Sequence, residues 1–269
     1  MPAQHREFFA ALPFVLLGAV DERGDAWAGL VHGRPGFIQA LDDRTLHVAA
    51  RPGDEDPIAA GVRPGAAIGL LGLEPHTRRR NRVNGRIAEL VGGRDDLPPG
   101  FIVAVEQCFG NCPKYIRPRR LRFDLDPAAA RPAVRAGSLT QRGRALIGAA
   151  DTLFVASYVD LPEGRQVDVS HRGGAPGFVE VDEAGVLTIP DYAGNRFFNT
   201  LGNIAVQPRV GLLVVDFARG ELVQLRGEAE LLLDADDPRV RALPGAERAW
   251  RLRPGAVVHR PAPMREGSS

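Results

Sequence analysis

The second half of this chain repeats the first. Phe14-Val15-Leu16-Leu17-Gly18-Ala19-Val20-Asp21 reads like Leu153-Phe154-Val155-Ala156-Ser157-Tyr158-Val159-Asp160, an apolar strand that closes on an aspartate and runs into a glycine-containing turn. Val31-His32-Gly33-Arg34-Pro35-Gly36-Phe37 parallels Ser170-His171-Arg172-Gly173-Gly174-Ala175-Pro176-Gly177-Phe178, which pairs His32 with His171. Thr45-Leu46-His47-Val48 matches Val186-Leu187-Thr188-Ile189. Val62-Arg63-Pro64 with Ala67 to Leu71 matches Val206-Gln207-Pro208 with Val210 to Val214, and Val83-Asn84-Gly85-Arg86-Ile87 matches Leu225-Arg226-Gly227-Glu228-Ala229. Five matches in one order, at one offset of about 140 residues, indicate duplication rather than chance.

Within each unit the strands are short, rich in valine, leucine and isoleucine, and separated by glycine- and proline-containing turns, the spacing of a barrel or sandwich. Each unit opens with a short helix, Ala3 to Leu12 and Leu139 to Ala150, and a further helical stretch is expected from Ile102 to Phe109. The Ala-, Pro- and Arg-rich stretch from Asp126 to Gly137 reads as a linker, which divides the chain into units 1–125 and 138–269. Two like units in one chain can pack as a pseudo-dimer, so that a site a homodimer forms twice survives once.

Lysine and arginine (34) balance aspartate and glutamate (33), so no overall field draws the chain to nucleic acid or to a membrane surface, and any recognition of an anion must be local. Two cysteines make no disulfide framework and favour a reducing, cytoplasmic compartment. The apolar stretch Phe8 to Val20 is split by Pro13 and is too short to span a bilayer; it reads as a helix followed by a buried strand.

The densest constellation lies in the second unit: His171-Arg172-Gly173-Gly174, then Ile189-Pro190-Asp191-Tyr192-Ala193-Gly194-Asn195-Arg196, then Leu201-Gly202-Asn203. If Phe197 to Ala205 is helical, Asn195 and Arg196 stand at a helix N-terminus, where backbone N–H groups and the helix dipole favour phosphate. Arg172 supplies a second guanidinium, and bidentate forks suit phosphate oxygens. The first unit has Arg51-Pro52-Gly53-Asp54-Glu55-Asp56 at this place, a run that repels phosphate, so one ligand per chain is expected.

On these motifs the second unit resembles the pyridoxamine 5′-phosphate oxidase-like, FMN-binding split-barrel superfamily, and a flavin-nucleotide-binding branch of it in particular. Asn111-Cys112-Pro113-Lys114-Tyr115-Ile116 also resembles a motif of that branch, and the likeness runs from about Pro2 to Leu233. The resemblance implies a mainly β fold: two tandem split β-barrel repeats with short helices, packed as a pseudo-dimer with FMN at the seam. It implies that the strand carrying Ser170, His171 and Arg172 contacts the flavin ring and phosphate, that Ile189, Asp191 and Tyr192 lie beside the ring, and that Asn195 and Arg196 bind the phosphate. Lys114 and Tyr115 follow the expected helix as further cofactor contacts. Phe197 stands where the oxidases carry another basic residue, and no substrate-phosphate signature of the true oxidase appears near the C-terminus.

His76-Thr77-Arg78-Arg79-Arg80-Asn81-Arg82 sits in a first-unit hairpin; as a strand it points Arg80 and Arg82 one way and Arg79 the other, as a solvated face or toward an anion across the seam. Cys108 and Cys112 read as free thiols, and the histidines form no metal-ligand cluster. No nucleophile elbow or P-loop is present. A flavin-dependent oxidoreductase needs none, since the cofactor carries the electron chemistry. Its substrate would be a small planar molecule or nicotinamide donor. The alternative is a non-catalytic binder of FMN, FAD, a deazaflavin or haem (with His171 as axial candidate), serving as carrier, redox sensor or partner to a redox protein. The chain is expected as a monomer with an internal pseudo-dimer or as a homodimer of such chains.

Overall fold

Runs of branched apolar residues, buried on both faces in the central strands, organise the chain into two sheets built to one plan. The computed structural model describes residues 1–93, 97–123, 132–194 and 197–267. After helix α1 (Ala3–Ala10), the first unit consists of β1 (Phe14–Val20), β2 (Ala26–His32), β3 (Ile38–Ala40), β4 (Thr45–Val48), β5 (Ala67–Glu74), β6 (Arg79–Val91) and β7 (Gly100–Gly110). Short strands β8 (Leu121–Phe123) and β9 (Val134–Ala136) and helix α2 (Gln141–Ala149) lead to the second unit. That unit contains β10 (Thr152–Leu161), β11 (Gly164–Gly173), β12 (Glu180–Val181), β13 (Leu187–Tyr192), helix α3 (Asn199–Val206), β14 (Arg209–Asp216), β15 (Glu221–Leu232), helix α4 (Pro238–Arg241) and β16 (Ala246–Pro261), and β17 (Met264–Glu266) closes the chain.

The sheets run β2-β1-β5-β6-β7-β4-β3 and β11-β10-β14-β15-β16-β13-β12, the same order strand for strand, with every pairing antiparallel. The duplication is what the repeat predicts, and two tandem split barrels with short helices are what the resemblance implies. The stretch Phe8 to Val20 is indeed the end of a helix followed by a wholly buried strand. No described helix is long and apolar enough to cross a membrane.

Two local expectations fail. Ile102 to Phe109 is strand, not helix: Phe101 and Val103 point into the core while Ala104 faces out, a period of two that overrides the helix-forming Ala104, Glu106 and Gln107. Lys114 and Tyr115 therefore follow a strand. Residues 126–131 of the expected linker lie outside the described residues, and Val134 to Ala136 pair with β16. His32 and His171 are not equivalent. A side chain on Gly33 would strike Phe37, and one on Gly174 would strike Phe178, so these two turns correspond at an offset that sets His32 against Gly173.

Each barrel has its own core, and a third cluster joins them: Phe14, Leu16, Leu30 and Leu71 of the first against Phe154, Val169 and Leu213 of the second. At the seam backbone meets backbone. A Cβ on Gly69 would lie 3.0 Å from Val167 O and Val169 N, and one on Gly211 would lie 2.5 Å from Ala26 O. Gly211→Ala is therefore expected to destabilise the protein by about 1–3 kcal/mol, the usual cost of overpacking. Gly148→Ala, at a helical position with open space around it, should stabilise it by roughly 0.5–1 kcal/mol. Denaturant unfolding measures both, and a neutral Gly211→Ala would show that the seam is not closed by backbone contact.

Candidate functional site

Strand β6 of the first barrel sends two arginines across the seam to β11. Arg82 Nη1 donates to Asp168 Oδ1 at 2.7 Å and Nη2 donates to Ser170 Oγ at 2.8 Å. Ser170 Oγ donates to Asp168 Oδ2 at 2.9 Å and accepts from Thr200 Oγ1 of α3 at 2.8 Å. All four side chains are buried, and a buried charge pair is tolerated only where hydrogen bonds satisfy it in this way. Two residues back along β6, Arg80 Nη1 donates to Nδ1 of His171 at 3.0 Å. Burial, together with the charges of Arg80, Arg172 and Arg119, holds His171 well below the ordinary histidine range, so the ring is neutral. Burial and the neighbouring Arg82 lower Arg80 itself to about 10, which leaves it charged at neutral pH.

On the second barrel Asp191 is shared. Arg172 Nη1 donates to its Oδ1 at 2.6 Å, and Arg248 Nε, from β16, donates to its Oδ2 at 3.1 Å. Burial lowers Arg172 despite this partner. Lys114 Nζ and Tyr115 Oη, from the segment after β7, both donate to Ala193 O, at 3.4 and 2.8 Å. The Tyr115 ring lies 5.3 Å from that of Tyr192. The crossing is tight, for a Cβ on Gly173 would stand 2.2 Å from Tyr115 O. Together these groups close a recess of about 70 Å³, with Arg80, Cys112, Arg172 and Pro190 in its walls.

The electrostatic balance of the seam is cationic. Arg80, Arg82, Arg172, Arg248 and Lys114 surround two buried carboxylates, Asp168 and Asp191, with half-exposed Glu247 at the rim. The buried Nε groups of Arg80, Arg82 and Arg172 have no hydrogen-bond partner among the described residues. Desolvated donors left in excess are what an anion site requires.

The corresponding groove on the opposite side of the seam has been rebuilt. There Gln224 reaches across as Arg82 does, donating from Nε2 to Ala28 O and to Asp56 Oδ1, at 2.9 and 2.8 Å. Asp56 also binds Arg260, and Asp54 and Asp56 line a broader cavity of about 560 Å³ with Asp25, Trp27 and Arg226. That cavity is larger and lined by four aspartates among three arginines, so the two grooves differ in both volume and charge.

No family model and no curated protein matches the chain. Solved structures do. An FAD-binding protein from Mesorhizobium loti is 16% identical over 48% of this chain and 98% of its own, with a TM-score of 0.34. A putative pyridoxamine 5′-phosphate oxidase from Corynebacterium glutamicum is 14% identical over 51% and 97%, at 0.33. The haem storage protein HutZ of Vibrio cholerae is 18% identical over 45% and 95%, at 0.31.

Of the residues singled out in the sequence, Ser170, His171, Arg172, Asp191, Tyr192, Lys114 and Tyr115 converge on this stretch of seam. Ile189 does not: its side chain is wholly buried in the second core. Asn195 and Arg196 lie outside the described residues, and α3 begins at Asn199, two residues later than expected. Cys108 and Cys112 are free thiols; Cys108 Sγ lies 3.0 Å from His5 Nδ1, and burial raises its pKa. Arg248, Asp168 and Thr200 were missed. Asp168 carried a signal, a charge set between Val167 and Val169 of a buried strand.

His171 has a lowered pKa when folded, so the unfolded chain binds its proton more readily. Its contribution to stability is present above the ordinary value of 6.5 and is lost as pH falls below it. His171→Gln should therefore flatten the fall in stability between roughly pH 6.5 and 5, measured by urea unfolding at several pH values. An unchanged slope would mean that His171 titrates normally.

Proposed function

We propose that the protein binds a flavin nucleotide, FMN above all, with its phosphate at the cationic seam, and that it acts as a flavin-dependent oxidoreductase on a small molecule. The observation that carries the reading is the convergence of surplus, desolvated guanidinium groups from both barrels on one recess. A phosphomonoester dianion accepts from such forks. The Tyr115–Tyr192 pair at the mouth offers an aromatic wall to a planar ring. A bound flavin supplies the electron transfer. The chain's own part is to hold the phosphate, orient the ring and keep water from the recess.

Haem is the second ligand class, and the geometry of His171 weighs against it. Nδ1 accepts from Arg80, so the neutral ring carries its proton on Nε2 and has no lone pair there for iron. Asp168 and Asp191 remain as counter-charges to the arginines, not as phosphate contacts.

Purified protein is expected to show flavin absorption in the blue, or to acquire it on titration with FMN. Arg172→Ala should weaken FMN binding by about 1.5–3 kcal/mol, the range for a hydrogen bond to a charged group, and leave riboflavin binding unchanged. Calorimetric titration with both ligands decides it. Parallel losses for FMN and riboflavin would remove the phosphate from this recess, and a Soret band in the purified protein would replace flavin with haem.

A further inference from the structure

We propose that Arg248 is a further phosphate ligand, positioned by Asp191, and that it forms with Arg172 the two arms of one clamp. The inference rests on the reading of the seam as a flavin-phosphate site. Arg248 lies directly opposite Asp191 in the β13–β16 ladder, where paired residues put their side chains on one face. The register shifts between Asp191 and Tyr192, an irregularity that bends a strand and re-aims the residues after it.

The Arg248 guanidinium is held on three sides. Nε donates to Asp191 Oδ2 at 3.1 Å, Nη2 donates to Glu247 Oε2 at 2.7 Å, and Cζ stands 5.0 Å from the centre of the Phe198 ring. Its Nη1 has no partner among the described residues, and a quarter of the side chain is exposed, at 25%. A solvated arginine on a surface strand loses entropy when fixed and gains little in return. This one is fixed, with one amino group still to offer.

Arg172 grips the other oxygen of the same carboxylate. One buried carboxylate thus orients two guanidiniums, with half-exposed Glu247 as the second counter-charge to Arg248. An anion arriving at this end of β13 meets Arg172 from β11 and the remaining amino group of Arg248 from β16. That arrangement distinguishes a phosphorylated ligand from its unphosphorylated parent, because neither arm need touch the ring.

The test uses the full chain, Arg248→Gln and Arg248→Lys, titrated calorimetrically with FMN, riboflavin and inorganic pyrophosphate. Arg248→Gln is expected to weaken FMN and pyrophosphate by roughly tenfold or more, the size of a lost charged hydrogen bond, with riboflavin unchanged. Arg248→Lys should recover part of the loss. Wild-type affinity for FMN and pyrophosphate in Arg248→Gln overturns the proposal, and so does an equal loss of riboflavin, which would make the arginine structural. If the wild type binds pyrophosphate but no flavin, the flavin reading falls while the clamp is judged on pyrophosphate alone. If it binds neither, both fall.

Discussion

The two barrels meet without side chains between them at Gly69 and Gly211, and the rest of the site follows from that contact. Any side chain at Gly211 would push against Ala26 and Trp27 backbone, and one at Gly69 against Val167 to Val169. Because these strands touch, β6 and β11 run close enough for Arg80 and Arg82 to reach His171, Asp168 and Ser170 directly. A seam opened by the width of a side chain would leave those guanidiniums in solvent, and no desolvated anion site would form.

The apolar cluster of Phe14, Leu16, Phe154 and Leu213 gives the seam its non-specific cohesion, and the ion pair Arg82–Asp168 fixes one particular pairing. Removal of one member of such a buried pair typically costs about 3–5 kcal/mol, because the other is stranded. Duplication supplied two such crossings, and they have diverged. Where one groove has Arg82 and Thr200, the other has Gln224 and Asp56, with Arg260 drawn in to balance the carboxylate. One chain therefore carries one cationic groove and one mixed, acid-lined groove on a shared frame.

The architecture was legible because duplication prints the strand pattern twice, and the shared order of the two sheets follows from it. The reading failed where local composition competed with period. Ala104, Glu106 and Gln107 favour helix, but Phe101 and Val103 alternate into the core and prevail. The offset also slips at the turns, which misaligned His32 with His171. Much of the candidate site was visible in the cluster from Ser170 to Tyr192, since glycines beside arginines mark close backbone approach. The seam partners were harder to see. An arginine on a strand looks the same in sequence whether it meets water or another barrel, so Arg80 and Arg82 could only be weighed. Arg248 lies on β16, beyond the last matched repeat block, and its role depends on a cross-strand neighbour that sequence spacing does not reveal.

The central claim is that the two barrels build one anion site together, with donors from each. A crystal structure of the full chain with FMN tests it most directly. The phosphate is predicted within hydrogen-bond distance of Arg80 from the first barrel and Arg172 from the second, with a single flavin per chain. A phosphate that touches residues of one barrel only, or a flavin seated in the groove lined by Asp54 and Asp56, would contradict the account.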